Sequence, residues 1–274
     1  MKTLCTMVSA VFLGAVSFMA SGAEPYFSDN FDTGSLGSSG EFSWSGNRSL
    51  STEQSYSGQY AMKFTYGPDA SGEDSWTEQR FNLASSASSA PREVWIEYQL
   101  RVPSNWVHRY QAPGNNKLFA LFAENYSNSG DIQAVFEYER ESDSRSNIRV
   151  ICMSGRGCLK GNYLAHLFDS SMRGKWVRMR FHLRAGQSNG LIEVWRNNEL
   201  VYSIYDYSHY FSSGNNYWRK GYLMGWSNSG YAQATSFYVD DFKVYRENPG
   251  WSFDSSDTGG SDAKPSAPVL RLDQ

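Results

Sequence analysis

The sequence predicts an all-β protein in which two antiparallel sheets pack as a sandwich. Three observations carry that prediction. Short runs with period-two alternation, rich in Val, Ile, Tyr, Phe and Trp, recur along the chain, and no long stretch places apolar residues at three-and-four spacing. Gly, Ser, Asn and Asp separate those runs. About a dozen such strands with no helical layer can bury their apolar faces only against one another, which calls for two sheets.

The elements follow in chain order. Met1-Lys2-Thr3, the apolar run Val8–Ala20 and the small residues Ser21-Gly22-Ala23 read as a secretory signal peptide over 1–23, cut before Glu24. The remaining residues suit one large sandwich over 24–247 better than two ordinary domains. The expected strands are Tyr60–Tyr66, Ser75–Leu83, Glu93–Val102, Asn116–Phe122, Ile132–Tyr138, Ile148–Met153, Lys175–Leu183, Gly190–Arg196, Glu199–Ser203, Gly221–Trp226 and Thr235–Tyr245. Between two of them, Arg196-Asn197-Asn198-Glu199 predicts a tight hairpin, because Asn tolerates the positive φ angles of a two-residue turn. From Asn248 the composition turns to Pro, Gly, Ser, Asp and Thr, so 248–274 reads as a flexible tail or linker. Cys152 and Cys158 form an even pair in an exported chain and are expected to be a disulfide.

The formal net charge of −3 offers no basic excess, which argues against a nucleic-acid partner. No second apolar run is long enough to cross a membrane. A secreted or periplasmic location follows from the leader. Nine Trp and 18 Tyr suit the wet, half-apolar surfaces that meet sugars, although large sandwiches also use aromatics for packing.

Several segments carry a resemblance. Trp176-Val177-Arg178-Met179-Arg180-Phe181-His182-Leu183, followed by Gly-Leu-Ile-Glu-Val-Trp-Arg-Asn-Asn-Glu-Leu-Val-Tyr-Ser, is similar to the strand–turn–strand of laminin-G-like and concanavalin A-like domains. The closing segment Phe237–Tyr245 and the opening Phe27–Gly34 resemble the paired terminal strands of the same lectin and glucanase superfamily. The likeness covers roughly 26–246 and implies a jelly roll directed at carbohydrate. Thr77-Glu78-Gln79-Arg80 resembles the Arg-Thr-Glu-Leu-Arg strand of the jelly-roll alginate lyases, and Tyr217–Tyr222 resembles their Tyr-Phe-Lys-Ala-Gly strand. Their Gln-Ile-His strand finds only Lys117-Leu118-Phe119, and their catalytic tyrosine falls on Leu223. The proton-transfer residues of that family are therefore not carried over.

Alternation puts Trp76, Glu78 and Arg80 on one face of a strand, an aromatic, an acid and a fixed cation. An indole stacks on a sugar ring and a guanidinium pairs with a carboxylate, which suits an acidic polysaccharide. Elimination across a uronate requires charge neutralisation and proton transfer. Arg80 and Lys117 are the candidate neutralisers, and His108 and Tyr138 the candidate proton carriers. Tyr222, Trp226 and Asn228 are candidate substrate contacts. Asp29, Asp32 and Asp241, on the segments resembling the terminal strands, are the expected ligands of a structural calcium ion. The function so read is an exported polysaccharide lyase on a uronate-containing glycan. The alternatives are a non-catalytic lectin-like domain, or a glycoside hydrolase with a non-standard acid pair, since no Glu-x-Asp-x-x-Glu strand occurs.

Overall fold

The computed structural model describes residues 23–36, 42–68, 75–109, 112–124, 126, 132–152, 162–208 and 214–251. Nearly all of the expected leader (1–23), nearly all of the expected tail (248–274), Cys158 and His209 lie outside them. The strands are β1 (Phe27–Asp29), β2 (Phe42–Gly46), β3 (Arg48–Ser51), β4 (Ala61–Tyr66), β5 (Ser75–Asn82), β6 (Glu93–Arg101), β7 (Asn115–Phe122) and β8 (Gln133–Ser142). There follow β9 (Arg145–Ile151), β10 (Asn162–Tyr163), β11 (Phe168–Asp169), β12 (Trp176–Arg184), β13 (Gly190–Arg196), β14 (Glu199–Tyr207), β15 (Lys220–Ser227) and β16 (Thr235–Tyr245). Two single 3-10 turns, Ala87–Ser89 and Ser170–Met172, are the only helical pieces among the described residues.

The predicted sandwich is what forms. Sheet A has nine strands ordered β10-β14-β13-β12-β6-β16-β4-β3, with β1 also on β16; sheet B has seven, ordered β11-β9-β8-β7-β15-β5-β2. Every pairing is antiparallel. Alternation along β12 decides its faces: Val177, Met179, Phe181 and Leu183 are buried, while Trp176, Arg178, Arg180 and His182 face out. The inward residues of both sheets, among them Tyr98, Phe119, Phe136, Phe181 and Phe242, make one continuous core. Phe119 and Phe181, from opposite sheets, meet with ring centroids 4.6 Å apart and planes tilted by 34°.

The Asn197-Asn198 turn joins β13 to β14 with φ of 50° and 73°, both positive as a two-residue hairpin requires. β2 and β3 were not expected. Phe42-Ser43-Trp44-Ser45-Gly46 and Arg48-Ser49-Leu50-Ser51 are too rich in Ser and Gly to read as strands, and both sit at sheet edges where propensity counts least.

Candidate functional site

The outward face of sheet B collects the predicted sugar contacts. On β5, Thr77, Gln79 and Phe81 turn inward, leaving Trp76, Glu78 and Arg80 on the outside. The β5–β15 register sets Trp226 opposite Trp76 and Tyr222 opposite Arg80. The two indoles lie 6.0 Å apart at 31°, and Trp226 is 42 % exposed, so it is a surface platform. The Trp76 ring occupies the space beside Gly46, where a Cβ would meet its Cη2 at 2.0 Å. Glu78 is the hub: it accepts the Trp76 indole N–H at 3.2 Å and the Arg80 Nε–H at 2.5 Å. The Arg80 guanidinium also lies 4.2 Å from the Tyr126 ring centroid.

Two β-bulges shape the centre of this face. Pairing between β15 and β7 jumps from Leu223–Phe119 to Ser227–Asn116, and Met224 and Gly225 take φ of 62° and 134° there. Pairing between β7 and β8 jumps from Lys117–Glu137 to Phe119–Phe136. Leu118 and Phe119 consequently both enter the core, and Lys117 is left on the outside. Its stem crosses Gly225: a Cβ at that glycine would lie 3.0 Å from Lys117 Cβ and 3.2 Å from both Lys117 Cδ and Tyr222 Cε2. Among the described residues the Lys117 ammonium has no hydrogen bond or ion pair.

Opposite Lys117 stands Glu137, buried, accepting from Asn115 Nδ2 at 2.8 Å with Arg149 Nε at 3.9 Å. Burial pushes the Glu137 carboxyl above its usual range, against the pull of Asn115, Arg149 and Lys117. Tyr222 packs on Ala120, Phe122 and Val135 in a small outer cluster. Burial drives its hydroxyl far above the ordinary phenol range, and the charges of Glu78 and Glu137 add to that, with Arg80 opposing. Asn228 is one step back: its backbone N–H donates to the Asn115 carbonyl at 3.1 Å, so it steadies the residue that holds Glu137.

Other expected residues are elsewhere. Tyr138 shares a strand with Glu137 but has the opposite parity, so it points into the core, where its hydroxyl bonds that of Tyr231. His108 is buried beside it, ring centroids 5.6 Å apart, and burial lowers its pKa to about 4. Neither shares a face with Arg80 and Lys117; the ionisable groups beside Lys117 are Glu137 and Tyr222. Glu137 had been missed, yet it had a signal: an acid inside the apolar run Ala134-Val135-Phe136-Glu137-Tyr138. Leu223, where the lyase tyrosine falls, is in the core.

The expected calcium ligands accept hydrogen bonds from nearby backbone and side-chain groups. Asp29 Oδ1 takes the Phe31 N–H at 2.7 Å, and Asp32 Oδ1 takes that of Gln59 at 2.7 Å. Asp241 Oδ1 accepts from Ser57 Oγ at 3.0 Å. Among the described residues no three His, Cys, Asp or Glu are grouped to hold a metal. Cys152 is buried just past β9, and its expected partner Cys158 is outside the described residues.

Fold and site together define a jelly-roll sandwich with a charged, aromatic-flanked outer sheet. No family model and no curated protein matches the sequence. Solved structures do. An alginate lyase from Chlorella virus, vAL-1, superposes with a TM-score of 0.55 at 12 % identity, over 81 % of this chain and 99 % of that one. The alginate lyase Aly36B gives 0.51 at 9 %, over 69 % and 82 %. A structure from work on endo-acting O-glycanases of the human gut microbiota gives 0.50 at 11 %, over 82 % and 100 %. At such identities the likeness establishes the fold. No helix among the described residues is long and apolar enough to cross a membrane.

Proposed function

We propose that this protein is exported, binds a uronate-bearing polysaccharide on the outward face of sheet B, and cleaves it by β-elimination. The observation that carries the reading is Lys117, a cation with no ion pair among the described residues that two facing bulges hold against Tyr222 and Glu137. A uronate carboxylate laid on Lys117, with Arg80 nearby, loses much of its charge, which acidifies the adjacent C5–H. Glu137, whose raised pKa makes it the stronger base, takes that proton. The electron pair forms the C4–C5 double bond and the C4–O bond breaks. Tyr222, held protonated, gives its hydroxyl proton to the leaving oxygen. Trp76 and Trp226 supply the stacking surface for a neighbouring sugar. The vAL-1 and Aly36B neighbours, both alginate lyases, support the substrate class.

A binding-only reading is favoured by one observation: Arg80 is already matched by Glu78 and Tyr126, as in a rigid recognition face. A panel of uronate polymers separates the two. Elimination makes an unsaturated uronate and an ultraviolet absorbance gain, which Lys117→Ala and Tyr222→Phe should each abolish. Binding without absorbance gain would leave only the lectin-like function. Reducing ends released without absorbance gain would make the protein a hydrolase, and no binding to any uronate polymer would overturn the assignment of this face.

A further inference from the structure

A polar cavity lies at the start of β12 in sheet A, outside everything assigned above. It occupies about 280 Å³, and its walls include Ser171, Lys175, Trp176, Arg196, Asn197 and Glu199. That is slightly below the roughly 300–1,000 Å³ of drug-sized ligand sites, a size for one ring rather than a chain.

Its walls are built in different ways. Arg196 is locked: its guanidinium donates to the carbonyls of His166 and Leu167 and pairs with Glu199. Lys175 is exposed, and among the described residues its ammonium has no hydrogen bond or ion pair. The two cations outnumber the single acid. Trp176 faces out of sheet A by alternation and meets Tyr56 edge-on, ring centroids 5.8 Å apart. Tyr56 is 52 % exposed, yet its loop is fixed. The backbone N–H groups of Tyr56 and Ser57 donate to Asp240 Oδ2 at 2.7 and 3.1 Å, and Ser57 Oγ donates to Asp241. An exposed aromatic costs little entropy to engage when its backbone is already tied down.

We propose that this cavity is a second uronate site, taking one acidic sugar with its ring on Trp176, which Tyr56 braces edge-on, and its carboxylate on Lys175. The inference rests on the uronate reading of the sheet B face. Its consequence is retention: a chain held at Trp176 raises the local concentration of polymer at Lys117 without adding a contact there.

Calorimetric titration of the full chain with short oligomers of galacturonate and of mannuronate tests it, with neutral cello-oligomers as control. The expected result is two sites per chain, reduced to one by Lys117→Ala and to the other one by Lys175→Glu, each lost site weakened about tenfold or more. Trp176→Ala should act like Lys175→Glu, which changes only an exposed side chain and so tests the site even if the tryptophan variant fails to fold. One site abolished by Lys117→Ala and untouched by Lys175→Glu would overturn the second site alone. One site abolished by Lys175→Glu and untouched by Lys117→Ala would overturn the sheet B reading and leave this one. Neutral oligomers bound as tightly as uronates would overturn the acidic-sugar assignment.

Discussion

Gly225 is the glycine on which the geometry of the sheet B face around Lys117 depends. At φ of 134° it has a conformation that L residues rarely adopt, and the Lys117 stem occupies the space a Cβ would need. Gly225→Ala should therefore cost about 1–3 kcal/mol of stability through backbone strain. It should also push Lys117 off its seat and lower turnover on the polymer by about tenfold or more, as a misplaced charge contact does. Denaturant midpoints and the absorbance assay read the two effects separately. Full activity in a destabilised Gly225→Ala protein would show that the position of Lys117 does not matter. Alternation placed Trp76, Glu78 and Arg80 together, and the structure agrees. It could not place Lys117, because a bulge resets parity and nothing in Lys117-Leu118-Phe119 announces one. It also put Tyr138 with Phe136 and Arg140 correctly, but a single strand does not say which of its faces a second sheet will cover.

At the scale of elements, β6, β12 and β13 are tied across sheet A by one histidine. His182 is paired in register with Trp95 and Glu193, and stacks on the Trp95 indole at 4.5 Å. Its Nε2 lies 2.7 Å from Glu93 Oε1 and its Nδ1 2.8 Å from Glu193 Oε2, while Tyr205 donates to Glu193 and Arg184 stands 3.8 Å from Glu93. Burial pushes the imidazole pKa down, but the two carboxylates outweigh it and hold the group above its ordinary value. A raised folded pKa means stability that is fully present below the unfolded value and lost as pH rises through the folded one. His182→Gln should cost about 1–3 kcal/mol in mildly acidic solution, the scale of charged hydrogen bonds. That cost should shrink as pH rises through the raised folded-state pKa; urea midpoints of both proteins from mildly acidic to alkaline buffer would show it. A cost independent of pH would mean the histidine is neutral in the fold. The strands of this network were legible because β-branched and aromatic residues alternate cleanly along them. β2 and β3 were not, since Ser and Gly have little packing signal to display.

For the whole molecule, the sandwich was readable because the pattern recurs in strand after strand, so errors at single strands did not accumulate. What the pattern could not supply was the inside of the sandwich, and His108 is the case with the largest consequence. It sits among Trp106 and Tyr138, nearly inaccessible to water. Burial lowers its pKa to about 4, against the opposing influence of the Tyr138 and Arg109 carbonyls and Asp143, while Arg140 reinforces the lowering. In the unfolded chain an imidazole titrates near 6.5 (approximately, for model peptides). Between those values the unfolded state binds a proton that the folded state refuses, so stability falls with pH by about 1.4 kcal/mol per unit, or ~3 kcal/mol in all. This is opposite in sign to His182, which loses its contribution as pH rises. His108→Phe removes the titration while keeping an aromatic ring in a cavity already lined by aromatics. Its urea midpoint should fall less than that of the unsubstituted protein between neutral and mildly acid buffer, because only carboxylates such as Glu93, whose pKa the His182 bond lowers, then remain to lose stability there. Equal acid slopes in the two proteins would mean that His108 gains a proton inside the fold, and that the core opens to admit it.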